Sequence, residues 1–231
     1  MVMRRVLKHH VCFCFLSTAL LAGVSLIAAQ EKVYAGSLGN CKGDVDGSGR
    51  DDEQPIVCNG SDGLSGGASD KVLRGDRNID MGNYIGMPAV EVHGDADITM
   101  SGTLRVTGSS DNDSPAIKVH GGGGLKLVDA TIVNVSKGIV AESEGAVTVM
   151  TGLIGVKKDG VVVEVKNRGK VTLMGTSFTK VTMGAEVKGD GKLKMTGGEI
   201  RVTSTNGGTG LSVGGDGECY YDGWDDCGKG G

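Results

Sequence analysis

Aromatic residues make up only 3% of the 231 residues, and proline occurs three times. Beyond position 35 a single phenylalanine, Phe178, remains. A core with so few rings has to be closed by Val, Ile, Leu and Met, and the β-branched members of that set favour strands. Glycine is plentiful, at 42 residues, yet it lacks the strict third-residue period of a collagen. The sequence shows no P-loop, no zinc-ligand spacing and no Ser-His-Asp set. After Ala29 nothing is apolar enough to lie in a membrane.

The one long apolar run, Val11 to Ala29, sits behind Arg4, Arg5 and Lys8 and ahead of Val33-Tyr34-Ala35, which puts small residues at −3 and −1 before Gly36. That order is a secretory signal peptide over residues 1–35. A membrane span is the competing reading, because the run approaches the roughly 20 residues a span needs. Neither Cys12 nor Cys14 follows the small-residue pattern of a lipoprotein signal. Once the signal is removed, 20 basic and 27 acidic residues remain. An acidic surface of that kind repels phosphate backbones, so nucleic acid is not an expected partner. Four cysteines are left: Cys41, Cys58, Cys219 and Cys227. An even number in an exported chain suggests disulfides, with three connectivities open. Two cysteines precede the repeats and two follow them, which favours Cys41–Cys58 and Cys219–Cys227.

Between Val90 and Tyr221 one pattern recurs six times. Ile98, Leu125, Val147, Val171, Leu193 and Cys219 each begin a short alternating strand. Six residues before them stand Val92, Val119, Ala141, Val165, Val187 and Val213, and eight before, Val90, Ile117, Ile139, Val163, Ala185 and Leu211. The column between these two is mostly polar: Glu91, Lys118, Val140, Glu164, Glu186, Ser212. Alternation with period two is a half-buried strand, its polar column facing water. A third apolar position follows the anchor by seven residues at Ile132, Ile154, Phe178 and Ile200, with Leu104 one residue early in the first copy.

Three short strands in about 24 residues make one coil of an all-β solenoid, a single right-handed parallel β-helix of about six coils. Stacked at about 4.8 Å per coil, they would span on the order of 25–30 Å. A β-sandwich could show similar alternation, but it gives no reason for one offset to return six times. The expected organisation is a signal at 1–35, a cysteine-bearing lead-in and cap at 36–87, repeats at 88–218 and a cysteine-bearing tail at 219–231. Within the lead-in, Lys71 to Met81 is expected to add one irregular coil.

The export signal ending Lys32-Val33-Tyr34-Ala35, the cysteine-bearing lead-in, and repeats such as Gly189-Asp190-Gly191-Lys192-Leu193-Lys194-Met195-Thr196-Gly197-Gly198 resemble bacterial autotransporter passengers of type V secretion. The closest likeness is to adhesive and pro-angiogenic β-helix passengers of endothelium-colonising alphaproteobacteria, over roughly 36–231. The resemblance implies an exported protein at the cell surface or outside the cell (periplasmic without a translocator) and a virulence-related host contact. It carries over no catalytic residues. Autotransporters end in an outer-membrane β-barrel, and no segment here has that pattern. The chain is then a fragment, a truncated copy or a passenger-like protein exported by another route, with a downstream barrel as a possible missing partner.

Several residue sets invite a functional reading. His93 and His120 hold the same place in adjacent coils and could ligate a metal or sense pH. Their column continues as Glu142, Lys166 and Lys188, which reads as a solvent-exposed ladder for host contact. Arg74-Gly75-Asp76 spells an integrin-binding tripeptide, although Lys42-Gly43-Asp44 and Lys188-Gly189-Asp190 show how readily this composition makes basic-Gly-acidic turns. Asp44, Asp46, Ser48 and Asp52 resemble a calcium loop, but Pro55 stands where its last carboxylate belongs, so a solvated acidic loop is the plainer reading. Asp222, Asp225 and Asp226 beside Trp224 could serve glycoside hydrolysis, although the glycines and aromatics there read as an end cap. The leading expectation is a non-enzymatic adhesin or receptor ligand that needs no cofactor, binds a host surface protein or glycan, and does not stay membrane-inserted after signal cleavage. A polysaccharide lyase or glycoside hydrolase on the same scaffold is the alternative.

Overall fold

The computed structural model describes Cys41 and residues 53–60, 70–202 and 208–221. Among these the only helix is a single 3-10 turn at Met81–Asn83. Everything else regular is strand, joined in one fifteen-stranded sheet. Every pairing in it is parallel. A sandwich or meander would need antiparallel neighbours, so the chain forms a parallel right-handed β-solenoid.

The solenoid has three faces. Face one stacks Ile56–Asn59, Val90–His93, Pro115–Val119, residues 137–141 and 161–165, Met183–Val187 and Thr209–Val213. Face two stacks Asp70–Leu73, residues 97–100, 124–127 and 146–149, then Lys170–Met174, Lys192–Thr196 and Glu218–Tyr221. Face three stacks Arg77–Asp80, residues 103–107, 129–132 and 151–154, then Thr176–Val181 and Ile200–Val202. Together they make six complete coils and two sides of a seventh. The coil expected around Lys71 to Met81 is regular in pairing and takes its first side from Ile56–Asn59, so coils begin well before residue 88.

The register follows the repeat. Val90 pairs with Ile117, Ile117 with Ile139, and Ile139 with Val163, and the column runs on through Ala185 to Leu211. Val92, Val119, Ala141, Val165 and Val187 form the neighbouring column and are fully buried. Because each strand of a parallel stack is buried only on its inward side, the apolar residues of consecutive coils pack on one another and not across a sandwich.

One column differs from expectation. Ile132 pairs with Val106, not with Leu104, and Leu104 pairs with Ala130. A one-residue bulge between Met100 and Thr103 shifts the first copy. The third column is therefore Ile79, Val106, Ile132, Ile154, Phe178 and Ile200.

The corner between faces one and two is set by a glycine two residues before each anchor: Gly123, Gly145, Gly169, Gly191 and Gly217, with Ala96 in the second coil. A Cβ on Gly145 would stand 2.2 Å from the carbonyl oxygen of Val119, and one on Gly169 equally close to that of Ala141. At these two corners the coil beneath leaves no room for a side chain.

Candidate functional site

The outer side of face one carries the expected ladder, but its members are engaged with one another. His93 and His120 stack with centroids 5.2 Å apart and planes 11° from parallel. His120 Nε2 lies 3.0 Å from Glu91 Oε1. Beside them a chain of ion pairs crosses three coils: Lys118 to Glu142 at 3.5 Å, Glu142 to Lys166 at 3.0 Å, Lys166 to Glu164 at 3.6 Å, and Glu164 to Lys137 at 2.7 Å. Lys188 pairs with Glu186 at 2.9 Å and is the most open member, its side chain 53% exposed.

Glu164 was expected to face water. It lies on the outer side of the strand, yet is only 7% exposed. Val140, at the same place one coil earlier, is 5% exposed. Long lysine stems on neighbouring strands can cover outer positions while their ammonium groups reach water. Burial by itself would raise the Glu164 carboxyl, but the hydrogen bond and charge of Lys137, with the charges of Lys166 and Lys188, hold it below the ordinary value. Glu142 is likewise held low, its burial outweighed by Lys166 and Lys118. The Lys166 ammonium is raised: its hydrogen bond to Glu142 is the largest cause, burial opposes it, and the charges of Glu164 and Glu142 add to the rise.

The other sequence candidates are placed as follows. Arg74, Gly75 and Asp76 lie on an exposed corner, with Gly75 at φ 85°. Asp76 Oδ1 accepts a 2.8 Å hydrogen bond from the Thr103 backbone N–H in the next coil, so its carboxylate serves the fold. Cys41 and Cys58 form the expected disulfide. Cys219 is disulfide-bonded; Cys227, its expected partner, lies outside the described residues. So do the acidic loop with Asp44, Asp46, Ser48 and Asp52, and the cluster Asp222, Asp225 and Asp226. Among the described residues no three His, Cys, Asp or Glu side chains are gathered to hold a metal ion. Among them, too, no helix is long and apolar enough to cross a membrane.

Sequence reasoning missed three features. Asn112 is buried in the loop between the second and third coils, and its Nδ2 donates to the carbonyls of Met81 and Tyr84 at 3.0 and 2.8 Å. The Lys157 ammonium donates to the Ser109 carbonyl and, at 3.3 Å, to Ser136 Oγ, tying three corners together. Neither has a repeat partner, so periodicity gives no signal for them. The third feature is a ridge of turn tips between faces one and two. Both central residues have positive φ at Ser143-Glu144 and at Asn167-Arg168, and Arg168 bridges Glu144 at 2.6 Å and Asp190 at 4.0 Å. The turns themselves are marked in the sequence by Gly94-Asp95, Gly121-Gly122 and Gly189-Asp190; the pairing of Arg168 across them is not.

Comparisons with protein-family models, with curated proteins and with solved structures return no match. The fold and its outer surface therefore define a class: a parallel β-solenoid built from stacked coils, with in-register side-chain ladders on its faces.

Proposed function

We propose that this is a non-enzymatic exported protein, similar to an autotransporter passenger, that contacts host cells as an adhesin or receptor ligand. The observation that supports it is the rigid solenoid itself. Its outward side chains are repeated at strand spacing and fixed by the frame, so a partner meets a surface whose order is already established. Fold alone does not confer function; the export signal and the passenger-like repeats supply the rest of the reading. With Asp76 bonded to Thr103, the tripeptide contributes less to this reading than the coil faces do.

The test is binding of the purified mature protein to mammalian endothelial cells, comparing wild type, Asp76→Glu and a heat-unfolded control. Wild type and Asp76→Glu should bind alike and the unfolded protein should not. Loss of binding in Asp76→Glu alone would restore the integrin reading. Absence of binding by wild type, together with turnover of an acidic or neutral polysaccharide, would replace the proposal with the enzyme alternative.

A further inference from the structure

Among the described residues of this acidic chain, face two presents a basic strip. Pairing aligns Thr99, Lys126, Thr148, Thr172, Lys194 and Tyr220 in one outward column. The outward column beside it runs Asp97, Gly124, Ala146, Lys170, Lys192 and Glu218. From the third coil to the sixth these two columns contain four lysines and no carboxylate. Lys126, Lys170, Lys192 and Lys194 are all exposed. Among the described residues only Lys192 pairs with an acid, Glu218 at 2.8 Å. Lys194 lies over the ring of the exposed Tyr220, 5.5 Å from its centre. Carboxylates stand at the margins: Arg168 bridges Glu144 and Asp190, Asp129 accepts from the Thr151 hydroxyl, and Asp97, Asp216 and Glu218 flank the two ends of the strip.

We infer that this strip binds a linear acidic polysaccharide laid along the stack of coils. Charge complementarity selects an anionic occupant. The strip is one sheet wide, with a shallow recess beside Lys170 and Lys192, and its threonine hydroxyls and tyrosine ring suit sugar hydroxyls and a sugar face. Among the described residues, the exposed apolar side chains beside it, Val128, Met150 and Met174, form a row one side chain wide, too narrow for a bilayer surface to cover, and Val72 stands at the end of the Thr99 column. A nucleic acid would bring its phosphates against the acidic margins and the acidic remainder of the chain. The inference deepens the proposed host contact by naming its face and ligand, and it rests on that reading only for its biological setting.

The experiment uses the purified mature protein on surfaces carrying heparin, hyaluronan, neutral dextran, duplex DNA or phosphatidylserine vesicles. Three proteins are compared: wild type, Lys126→Glu/Lys170→Glu/Lys194→Glu, and Lys188→Glu from the face-one ladder. Their urea midpoints establish equal folding. Wild type should bind heparin, more weakly hyaluronan, and not dextran, and added salt should release it. The triple variant should lose about tenfold or more in affinity, and Lys188→Glu should match wild type. Equal binding of all three proteins to heparin, or none by wild type, overturns the inference, as does binding to DNA or vesicles as tight as to heparin. Cell binding is measured in parallel. Cell binding without glycan binding removes this inference and leaves the host contact standing. Glycan binding without cell binding does the reverse.

Discussion

Glu164 shows how far a single residue's place can depart from its position in a pattern. By alternation it points outward, and a surface glutamate there could be exchanged for roughly 0.5 kcal/mol or less. In the folded chain it is 7% exposed and held by Lys137 and Lys166. Glu164→Lys removes both pairs and sets a third ammonium between them. We expect a loss of roughly 2–3 kcal/mol, discounted from the ~3–5 of a fully buried pair because its lysines remain partly wet. Val165→Asp, one residue on and fully buried, buries a carboxylate without a partner and should cost about 3–5 kcal/mol. Urea melts of both variants check this. A Glu164→Lys midpoint equal to wild type would mean that the ion-pair chain contributes nothing to stability.

At the scale of the element, the corner and the ladder are the units that matter. Gly145→Ala would press a Cβ to within 2.2 Å of the Val119 carbonyl oxygen. The two coils can part only by straining their hydrogen bonds, so a loss of about 1–3 kcal/mol is expected. Gly121→Ala should cost less. Its nearest neighbour would be 3.6 Å away, leaving chiefly the positive φ, about 1–2 kcal/mol. Reversal of that order in thermal melts would show that backbone strain, not coil spacing, governs the corners. The ladder carries the pH dependence. Glu142 and Glu164 lie below their ordinary value of 4.5 when folded. Their contribution is therefore complete above that value and is lost as pH falls through the lowered folded values. Lys166 lies above its ordinary 10.5, so its contribution holds below that value and disappears only as pH rises past the raised one. Stability from this network should be level between about pH 5 and 10 and fall on the acid side first. Glu164→Gln should flatten the acid limb in a pH series of urea midpoints.

Across the whole molecule, the strands of each coil pair with those of neighbouring coils, with Lys157 reaching one corner further, so stability is close to a sum of coil and interface contributions. The amino-terminal coil is closed by Cys41–Cys58, 17 residues apart. A loop of that size contributes about 3 kcal/mol through the unfolded chain. Cys58→Ala with Cys41→Ala should lower stability by about that much. Hydrogen exchange should then locate the new opening at 56–81 and leave 137–187 protected. Uniform deprotection of every coil would mean that the solenoid unfolds as one cooperative block.

The fold was legible in the sequence because its cause is periodic. Val90, Ile117, Ile139 and Val163 return at one offset, and stacking requires that they do, since each coil buries its face only against the next. The Cys41–Cys58 bridge was legible from placement; the coil at Lys71 to Met81 was expected as irregular, and its regular pairing was not. What only tertiary structure decided is where the repeat is broken or crossed. The bulge at 101–102 moved the third column from Leu104 to Val106. Asn112 and Lys157 bind corners of other coils without any repeat partner. The ladder from His93 to Lys188 was visible as a column. That its charges neutralise one another, while Lys126, Lys170 and Lys194 of face two meet no acid among the described residues, depends on which side chains adjacent strands bring within reach. Pattern along the chain sets inward and outward; the distances between charges on neighbouring coils exist only once the coils are stacked.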